Sequence, residues 1–125
     1  MPDPHLPAKW KFRLLAAIHG KGVVENRKLL DAWARAEGGT AAYNPLNTTQ
    51  PWSGATNYNR AGVKNYPSAA AGIAATAATL HNGYYNGVVS DLHAGKRTAV
   101  EIVTRNAEEF DLWGTGAENI LRVLT

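Results

Sequence analysis

The 125-residue sequence predicts a compact, mainly α-helical single domain with one long irregular loop between its second and third helices. Apolar residues recur at helical spacings of three and four, glycines end these runs, and the intervening loop is rich in Asn, Thr, Tyr and Trp. The length suits one domain, and 45% hydrophobic residues suffice to build its core. Because the chain has no cysteine, disulfides and thiolate-bound metals are excluded.

The first two helices are predicted from apolar stripes that glycines end. Prolines near the start predict a flexible tail over residues 1–8. The stripes predict a first helix over residues 10–18 and a second over residues 24–36. Glu37 stands four residues after Trp33, so it continues the buried stripe of the second helix and should be partly buried.

The long loop spans residues 39–66, because its prolines and glycines and its many Asn and Thr deny it long helices. Loops of this length are uncommon in compact domains and are usually functional or disordered. The aromatic side chains argue against disorder, since they give the loop something to bury. Short hairpin-like pieces are expected around Ser53-Gly54 and Ala61-Gly62.

The C-terminal half predicts four further helices. Ser68 is the expected N-cap of the third helix, and glycines close the third and the fourth. The segment Trp113-Gly114-Thr115-Gly116 is expected to form a turn before the last helix. The predicted ranges are residues 67–82, 84–94, 98–110 and 117–124.

Glu37 is the candidate catalytic residue, because no Asp or Glu follows it from Gly38 to Ser90. Partial burial beside Trp33 disfavours the charged carboxylate and raises its pKa toward that of a usable acid. Cleavage of a glycosidic bond requires such a proton donor for the leaving oxygen. The alternative is a glutamate that caps local backbone groups or simply lies in solvent.

The same acid-free stretch bears on the reaction type. Hydrolysis by double displacement or by inversion needs a second carboxylate, which must come from Glu25, Asp31 or the region after Ser90, such as Asp91. Six residues rotate a helical side chain by roughly 240°, so Asp31 points away from Glu37. A mechanism with one carboxylate that serves as acid and then as base therefore fits more easily. A hydrolase in which a polar side chain holds the water remains open.

The loop supplies candidate substrate-binding residues of two kinds. Amides and hydroxyls offer neutral donors and acceptors, and flat aromatic rings suit the CH face of a sugar. Ordinary turn formation and anchoring of the loop to the core are the alternative roles. The candidates are Asn44, Asn47, Thr48, Thr49, Trp52, Tyr58, Asn59 and Tyr66.

Other classes of function have weaker signals. A net charge of +3 favours an anionic partner, such as nucleic acid or acidic cell-wall polymer, but is too small to choose between them. The basic cluster at Lys9, Lys11 and Arg13 is typical of a solvated surface and only weakly indicates nucleic acid. The histidines lack metal-ligand spacing, so no metal or other cofactor is expected. No apolar run approaches the roughly 20 residues of a membrane helix, so no membrane insertion is expected. The N-terminus lacks the pattern of a signal peptide.

Residues 29–39, followed by Tyr43-Asn44-Pro45-Leu46-Asn47-Thr48-Thr49, resemble lysozyme-like domains of bacteriophage endolysins and virion-associated wall hydrolases from phages of actinobacteria. The resemblance continues through residues 57–85 and Trp113-Gly114-Thr115-Gly116, and it covers about residues 29–116. More distantly, Glu37-Gly38-Gly39 with Asn44-Pro45 is similar to the helix-end Glu and the Asn-Pro of lytic transglycosylases and goose-type lysozymes. Their Gly-Leu-Met-Gln-like stretch does not follow the Asn-Pro here.

This resemblance implies a lysozyme-like helical fold over residues 9–125 that degrades cell-wall peptidoglycan, with Glu37 as the catalytic acid. Glycan strands are the implied partner, with phage virion proteins as a further one. The protein would act from the virion, or from the host cytoplasm before its release to the wall. Lysozyme-type and transglycosylase-type cleavage are both compatible. The alternatives are a non-catalytic wall-binding or virion structural module of the same fold and, with less support, a basic helical nucleic-acid-binding protein.

Overall fold

Seven α-helices and one short β-hairpin form the described part of the chain, residues 6–125, in the computed structural model. The helices are α1 (Trp10–Ala17), α2 (Val24–Glu37), α3 (Ala69–Leu80), α4 (Asn86–Ala94), α5 (Ala99–Arg105), α6 (Ala107–Trp113) and α7 (Ala117–Leu124). Strands β1 (Thr56–Asn57) and β2 (Lys64–Asn65) pair antiparallel, with Thr56 opposite Asn65. The mainly α class is therefore confirmed, and the hairpin lies in the long loop.

Trp33 of α2 is a central residue of the hydrophobic core. It is fully buried, and its ring meets those of Phe110 and Trp113 edge-on, with 4.9 Å between ring centroids in each pair. Such pairs contribute about 0.5–1.5 kcal/mol each beyond their buried area. Because Phe110 and Trp113 both belong to α6, these contacts hold α6 against the helix that ends in Glu37.

Helix α3 supports the long loop. The Ser68 hydroxyl accepts a hydrogen bond from the Ala71 N–H at 3.1 Å, which confirms the predicted N-cap. At Gly72, an added Cβ would lie 1.9 Å from the carbonyl oxygen of Tyr43. The loop backbone therefore rests directly on α3, in space that only glycine leaves open.

The single helix predicted over residues 98–110 is wrong, because the structure has two helices there. Asn106 ends α5 and precedes α6, and its side-chain amide donates to Asp91 Oδ2 at 2.9 Å and to the Ile102 carbonyl at 2.8 Å. An asparagine side chain competes in this way with the helical backbone for hydrogen bonds. Helix α6 then includes Trp113, which was expected in a turn.

Residues 1–5 of the predicted tail lie outside the described residues. The next residues contact the first helix: Pro7 is buried, and its carbonyl accepts a hydrogen bond from the Trp10 N–H at 3.0 Å. The chain is therefore attached to the domain from Pro7 onward.

Candidate active site

Glu37 is the last residue of α2, and the next residue turns the chain away. Gly38 adopts a left-handed conformation with φ of 62°, and its N–H donates to the Ala34 carbonyl at 3.2 Å. Glycine is the residue that adopts this helix-ending conformation without strain. Glu37 is half-buried, as its place on the stripe of Leu30 and Trp33 predicts.

Both carboxyl oxygens of Glu37 are held by neutral donors. The Asn47 amide nitrogen donates to Oε2 at 2.9 Å, and the Thr115 hydroxyl donates to Oε1. The Thr115 oxygen in turn accepts a hydrogen bond from Trp33 Nε1 at 2.8 Å. The indole N–H can only donate, so the Thr115 oxygen accepts from it. The single hydroxyl proton of Thr115 is therefore donated to Glu37.

The pKa of Glu37 lies above its ordinary value of 4.5. Burial is the largest cause, since desolvation disfavours the charged form, and the hydrogen bonds from Thr115 and Asn47 oppose the rise. The causes include no neighbouring charge. Glu37 therefore keeps its proton to a higher pH than an ordinary glutamate does, which is what a general acid requires.

Asn47 reaches Glu37 because of two unusual backbone positions. Asn47 itself has a φ of 56°, a left-handed conformation that asparagine tolerates better than most residues. A Cβ added at Gly39 would lie 2.2 Å from Asn47 Oδ1, so the side chain packs directly over that glycine. In Glu37-Gly38-Gly39, the first glycine thus ends the helix and the second leaves room for the partner of the acid.

A cavity of about 170 Å³ lies beside Asn47, the hydrogen-bond partner of Glu37. It is bounded by the loop, α3, the residue before α4 and the end of α6. Trp113 Nε1 donates to the Leu46 carbonyl at 2.8 Å and so fixes α6 to the loop at this point. The lining side chains are all uncharged: Asn47, Thr48, Thr49, Thr79, Tyr85, Leu112 and Trp113.

Three of the predicted binding residues belong to this cavity (Asn47, Thr48 and Thr49), and three others are exposed outside its lining. Trp52 and Tyr58 are 39% and 43% exposed. The Tyr58 hydroxyl shares a hydrogen bond of 2.7 Å with the Thr40 hydroxyl, and the Asn59 side chain accepts one from the Val63 N–H at 3.2 Å in the hairpin turn. These exposed residues are open to a ligand that extends beyond the cavity.

Two predicted binding residues, Asn44 and Tyr66, are instead buried and stabilise the loop by hydrogen bonds to its backbone. Asn44 has no exposed surface; its amide nitrogen donates to the carbonyls of Thr48 and Lys64 at 2.9 and 2.8 Å. Its oxygen accepts from the Thr48 N–H at 2.9 Å. Tyr66 is 2% exposed, its hydroxyl donates to the Gln50 carbonyl at 2.7 Å, and burial raises its pKa to about 12. Neither side chain is open to a ligand, unlike the expectation from the sequence.

The other carboxylates considered from the sequence form ion pairs or hydrogen bonds away from Glu37. Asp31 pairs with Arg35 at 3.0 Å on the flank of α2. Glu25 accepts a hydrogen bond at 3.0 Å from the first backbone N–H of α5. Asp91, which is buried, pairs with Arg105 at 3.3 Å. Among the acidic residues considered from the sequence, Glu37 alone therefore belongs to the candidate site.

Thr115 is the site residue that sequence reasoning missed. It lies 78 positions from Glu37 along the chain, beyond the reach of any local pattern. The only signal was the distinctive segment in which Thr115 stands between two glycines. Gly114 and Gly116 have φ values of 108° and 85°, conformations that a residue with a side chain rarely adopts.

Comparison of the chain with protein-family models, with curated proteins and with solved structures found no match. Within residues 6–125, no three His, Cys, Asp or Glu side chains are grouped to hold a metal ion. In the same residues, no helix has both the length and the apolar composition for crossing a membrane.

Proposed function

We propose that the protein is a peptidoglycan glycosidase of lysozyme or lytic transglycosylase type, in which Glu37 is the general acid. The observation that carries this proposal is the half-buried Glu37 carboxyl, which has a raised pKa and stands between two neutral donors. The uncharged cavity beside it offers hydroxyls and aromatic rings, the groups that bind sugars.

In the first step, Glu37 gives its proton to the glycosidic oxygen while the bond from that oxygen to the anomeric carbon breaks. The bonding electrons leave with the oxygen, and positive charge develops at the anomeric carbon and ring oxygen. Glu37 becomes a carboxylate, which the Thr115 and Asn47 donors already face. Donors that are oriented before charge develops stabilise it without reorganisation.

In the second step, the Glu37 carboxylate takes a proton from the nucleophile that attacks the anomeric carbon. Double displacement and inversion both need a second carboxylate. The candidates for it, Glu25, Asp31 and Asp91, make hydrogen bonds or ion pairs away from Glu37. This favours attack by a hydroxyl of the sugar itself, which forms an internal anhydro ring, over attack by water. The acid regains its proton, so the cycle closes with no net change in the protein.

The test is the chemistry of the products. Purified actinobacterial peptidoglycan is incubated with the wild-type protein, and the soluble fragments are analysed by mass spectrometry. Anhydro-sugar ends are expected; reducing ends would show that water is the nucleophile and would keep Glu37 as the acid. Glu37→Gln should abolish release, because an amide cannot supply the proton. Glu108→Gln, at an exposed position on α6, is the matched control and should release fragments like wild type.

Two outcomes would overturn the proposal. New peptide amines without new sugar ends would identify a peptidase. Wall binding that is equal in wild type and Glu37→Gln, with no fragments from either, would identify a non-catalytic module. The exposed Trp52 and Tyr58 are the residues that such a module would use.

A further inference from the structure

We infer that Asn82 is a site of spontaneous deamidation in the folded protein, whereas Asn86, which is also followed by glycine, is protected. The sequence has two Asn-Gly pairs, Asn82-Gly83 and Asn86-Gly87. Glycine has no side chain, so it leaves the backbone nitrogen after an asparagine unshielded. The local structure of each pair then decides whether the modification occurs, and this inference is independent of the proposed glycosidase function.

The reaction is an attack of the backbone on the side chain that forms a succinimide ring. The Gly83 nitrogen loses its proton to solvent and bonds to Asn82 Cγ, while the bond from Cγ to Nδ2 breaks. The bonding electrons leave with Nδ2, which takes up a proton and departs as ammonia. Water then opens the ring at one of its two carbonyl carbons, and the product is aspartate or isoaspartate. The net change is the gain of one water and the loss of one ammonia.

The pair Asn82-Gly83 is open to this reaction. Both residues are exposed, and they lie in the connection between α3 and α4, outside any helix or strand. Within residues 6–125, the Gly83 N–H donates to no acceptor, and the side-chain nitrogen of Asn82 makes no hydrogen bond. A Cβ added at Gly83 would meet no atom within 4 Å, so there is space for the rotation that ring closure needs.

A hydrogen bond at this position favours the attack. The Tyr84 N–H donates to Asn82 Oδ1 at 2.9 Å, and it withdraws electron density from Cγ, the atom that is attacked. As the Gly83 nitrogen bonds to Cγ, negative charge develops on Oδ1, where this donor already points. A donor that is in place before the charge develops stabilises it without reorganisation. The free nitrogen and the polarised carbonyl therefore belong to adjacent residues.

The pair Asn86-Gly87 is held in a conformation that opposes ring closure. Asn86 is the first residue of α4, and the Gly87 N–H donates to Glu109 Oε2 at 3.1 Å. The Val88 N–H donates to Glu109 Oε1 at 3.0 Å, so one carboxylate holds two successive backbone groups. Gly87 is also closely packed, since an added Cβ would lie 2.1 Å from Asn106 Oδ1. The Gly87 nitrogen must break its hydrogen bond and leave this packing before it can attack.

Deamidation would change the charge and the length of the connection between α3 and α4. Either product replaces a neutral amide with a carboxylate, so the formal net charge of +3 falls by one. Isoaspartate also routes the backbone through the side-chain carbons, which lengthens the connection by one methylene group. Tyr85 follows three residues later, where its ring packs edge-on against Trp113 with 5.1 Å between centroids. The modification therefore lies next to residues that line the candidate site.

The test follows both asparagines in one sample of folded wild-type protein. The protein is incubated at neutral to mildly alkaline pH in water enriched in the heavy oxygen isotope, and it is then digested in ordinary water, so that only products of the incubation carry the isotope. Chymotryptic cleavage after Tyr84 or Tyr85 separates the two pairs into different peptides, which are analysed by mass spectrometry.

The Asn82 peptide is expected to become labelled aspartate and isoaspartate, at a rate that rises with pH because the attacking nitrogen must lose its proton. Asn86 should convert roughly 10- to 160-fold more slowly. This factor corresponds to the roughly 1.5–3 kcal/mol of one hydrogen bond to a charged group, which the Gly87 nitrogen must break.

Two controls separate the effect of structure from that of sequence. In guanidinium chloride, where the folded contacts are lost, the two pairs should convert at similar rates. Glu109→Ala removes the acceptor of the Gly87 N–H, so Asn86 should convert faster while Asn82 is unaffected. Glu108→Ala, at an exposed position on the same helix, is the matched control and should behave like wild type. Circular dichroism confirms that both variants are folded.

Three results would overturn the inference. These are equal conversion of the two asparagines in the folded protein, faster conversion of Asn86, and conversion of Asn82 only in guanidinium chloride. A folded Glu109→Ala protein in which Asn86 converts no faster than in wild type would overturn the protective role of Glu109. None of these results depends on whether the protein releases glycan fragments.

Discussion

Gly72→Ala sets helix propensity directly against the packing of the loop on α3. In an open helix interior, alanine is more stable than glycine by about 0.8–1.0 kcal/mol. Here the new Cβ would lie 1.9 Å from the Tyr43 oxygen and 2.9 Å from the Tyr43 carbonyl carbon. Because contacts under 3.0 Å are essentially never seen, the Tyr43 oxygen must move by at least 1.1 Å, the difference between 3.0 and 1.9 Å.

The steric cost should exceed the gain in propensity. Overpacking costs about 1–3 kcal/mol, and a backbone obstacle, which cannot rotate away, places this case at the upper end. After the propensity gain, a net loss of about 1–2 kcal/mol remains. With an unfolding entropy of about 2.1 cal/mol/K per residue, that loss lowers the Tm by about 4–8 °C.

The assay is thermal unfolding together with glycan release per folded molecule. Displacement of Tyr43 also moves Asn47, four residues further along the loop, so release should fall by more than the folded fraction does. The control Ala74→Gly, on the same helix, loses propensity without touching the loop contact and should lower the Tm while leaving specific release unchanged. A Gly72→Ala protein with a Tm equal to or above that of wild type would refute the predicted contact between loop and helix.

Three further predictions follow from individual side chains. Thr115→Val removes a hydrogen bond that lowers the pKa of Glu37, so the alkaline limb of the pH–rate profile should move to higher pH, and Thr115→Ser should restore it. The folded protein holds the Glu37 proton more tightly than the unfolded chain, so ionisation of Glu37 costs stability as the pH rises from 4.5 through the raised pKa. The Tm of Glu37→Gln minus that of wild type should therefore increase from pH 4 to pH 7, and a constant difference would contradict the shift. Asn44→Ala removes the acceptor of the Thr48 N–H and the side-chain donor to the Lys64 carbonyl, while the Thr48 carbonyl keeps its hydrogen bond from the Lys64 N–H at 3.3 Å. The substitution should cost about 2–4 kcal/mol in urea unfolding, whereas the exposed Asn59→Ala should cost less than about 1 kcal/mol.

The features that could be predicted from the sequence are those with local causes. The end of α2 at Glu37 follows from an apolar stripe and a glycine that adopts φ of 62°. The N-cap at Ser68 needs only a hydroxyl and a backbone N–H three residues away. The partial burial of Glu37 follows from its place four residues after Trp33, which is fully buried.

The features that could not be predicted depend on contacts distant in the chain. Asn106 divides the expected fifth helix because Asp91, on another helix, accepts its amide at 2.9 Å. Asn44 has the composition of a sugar-binding residue, yet the return of the chain at Lys64 buries it. The partner of the acid, Thr115, comes from the far end of the chain. The sequence therefore predicts which residue types a site contains, whereas the tertiary packing determines which of those side chains are accessible to a ligand.

The most direct test of the central claim is an NMR titration of the Glu37 side-chain carboxyl carbon in the free wild-type protein. Burial with only neutral partners predicts a midpoint above the ordinary value of 4.5. A midpoint at or below 4.5 would show that Glu37 is ionised like an exposed glutamate, and it would contradict the assignment of Glu37 as the proton donor.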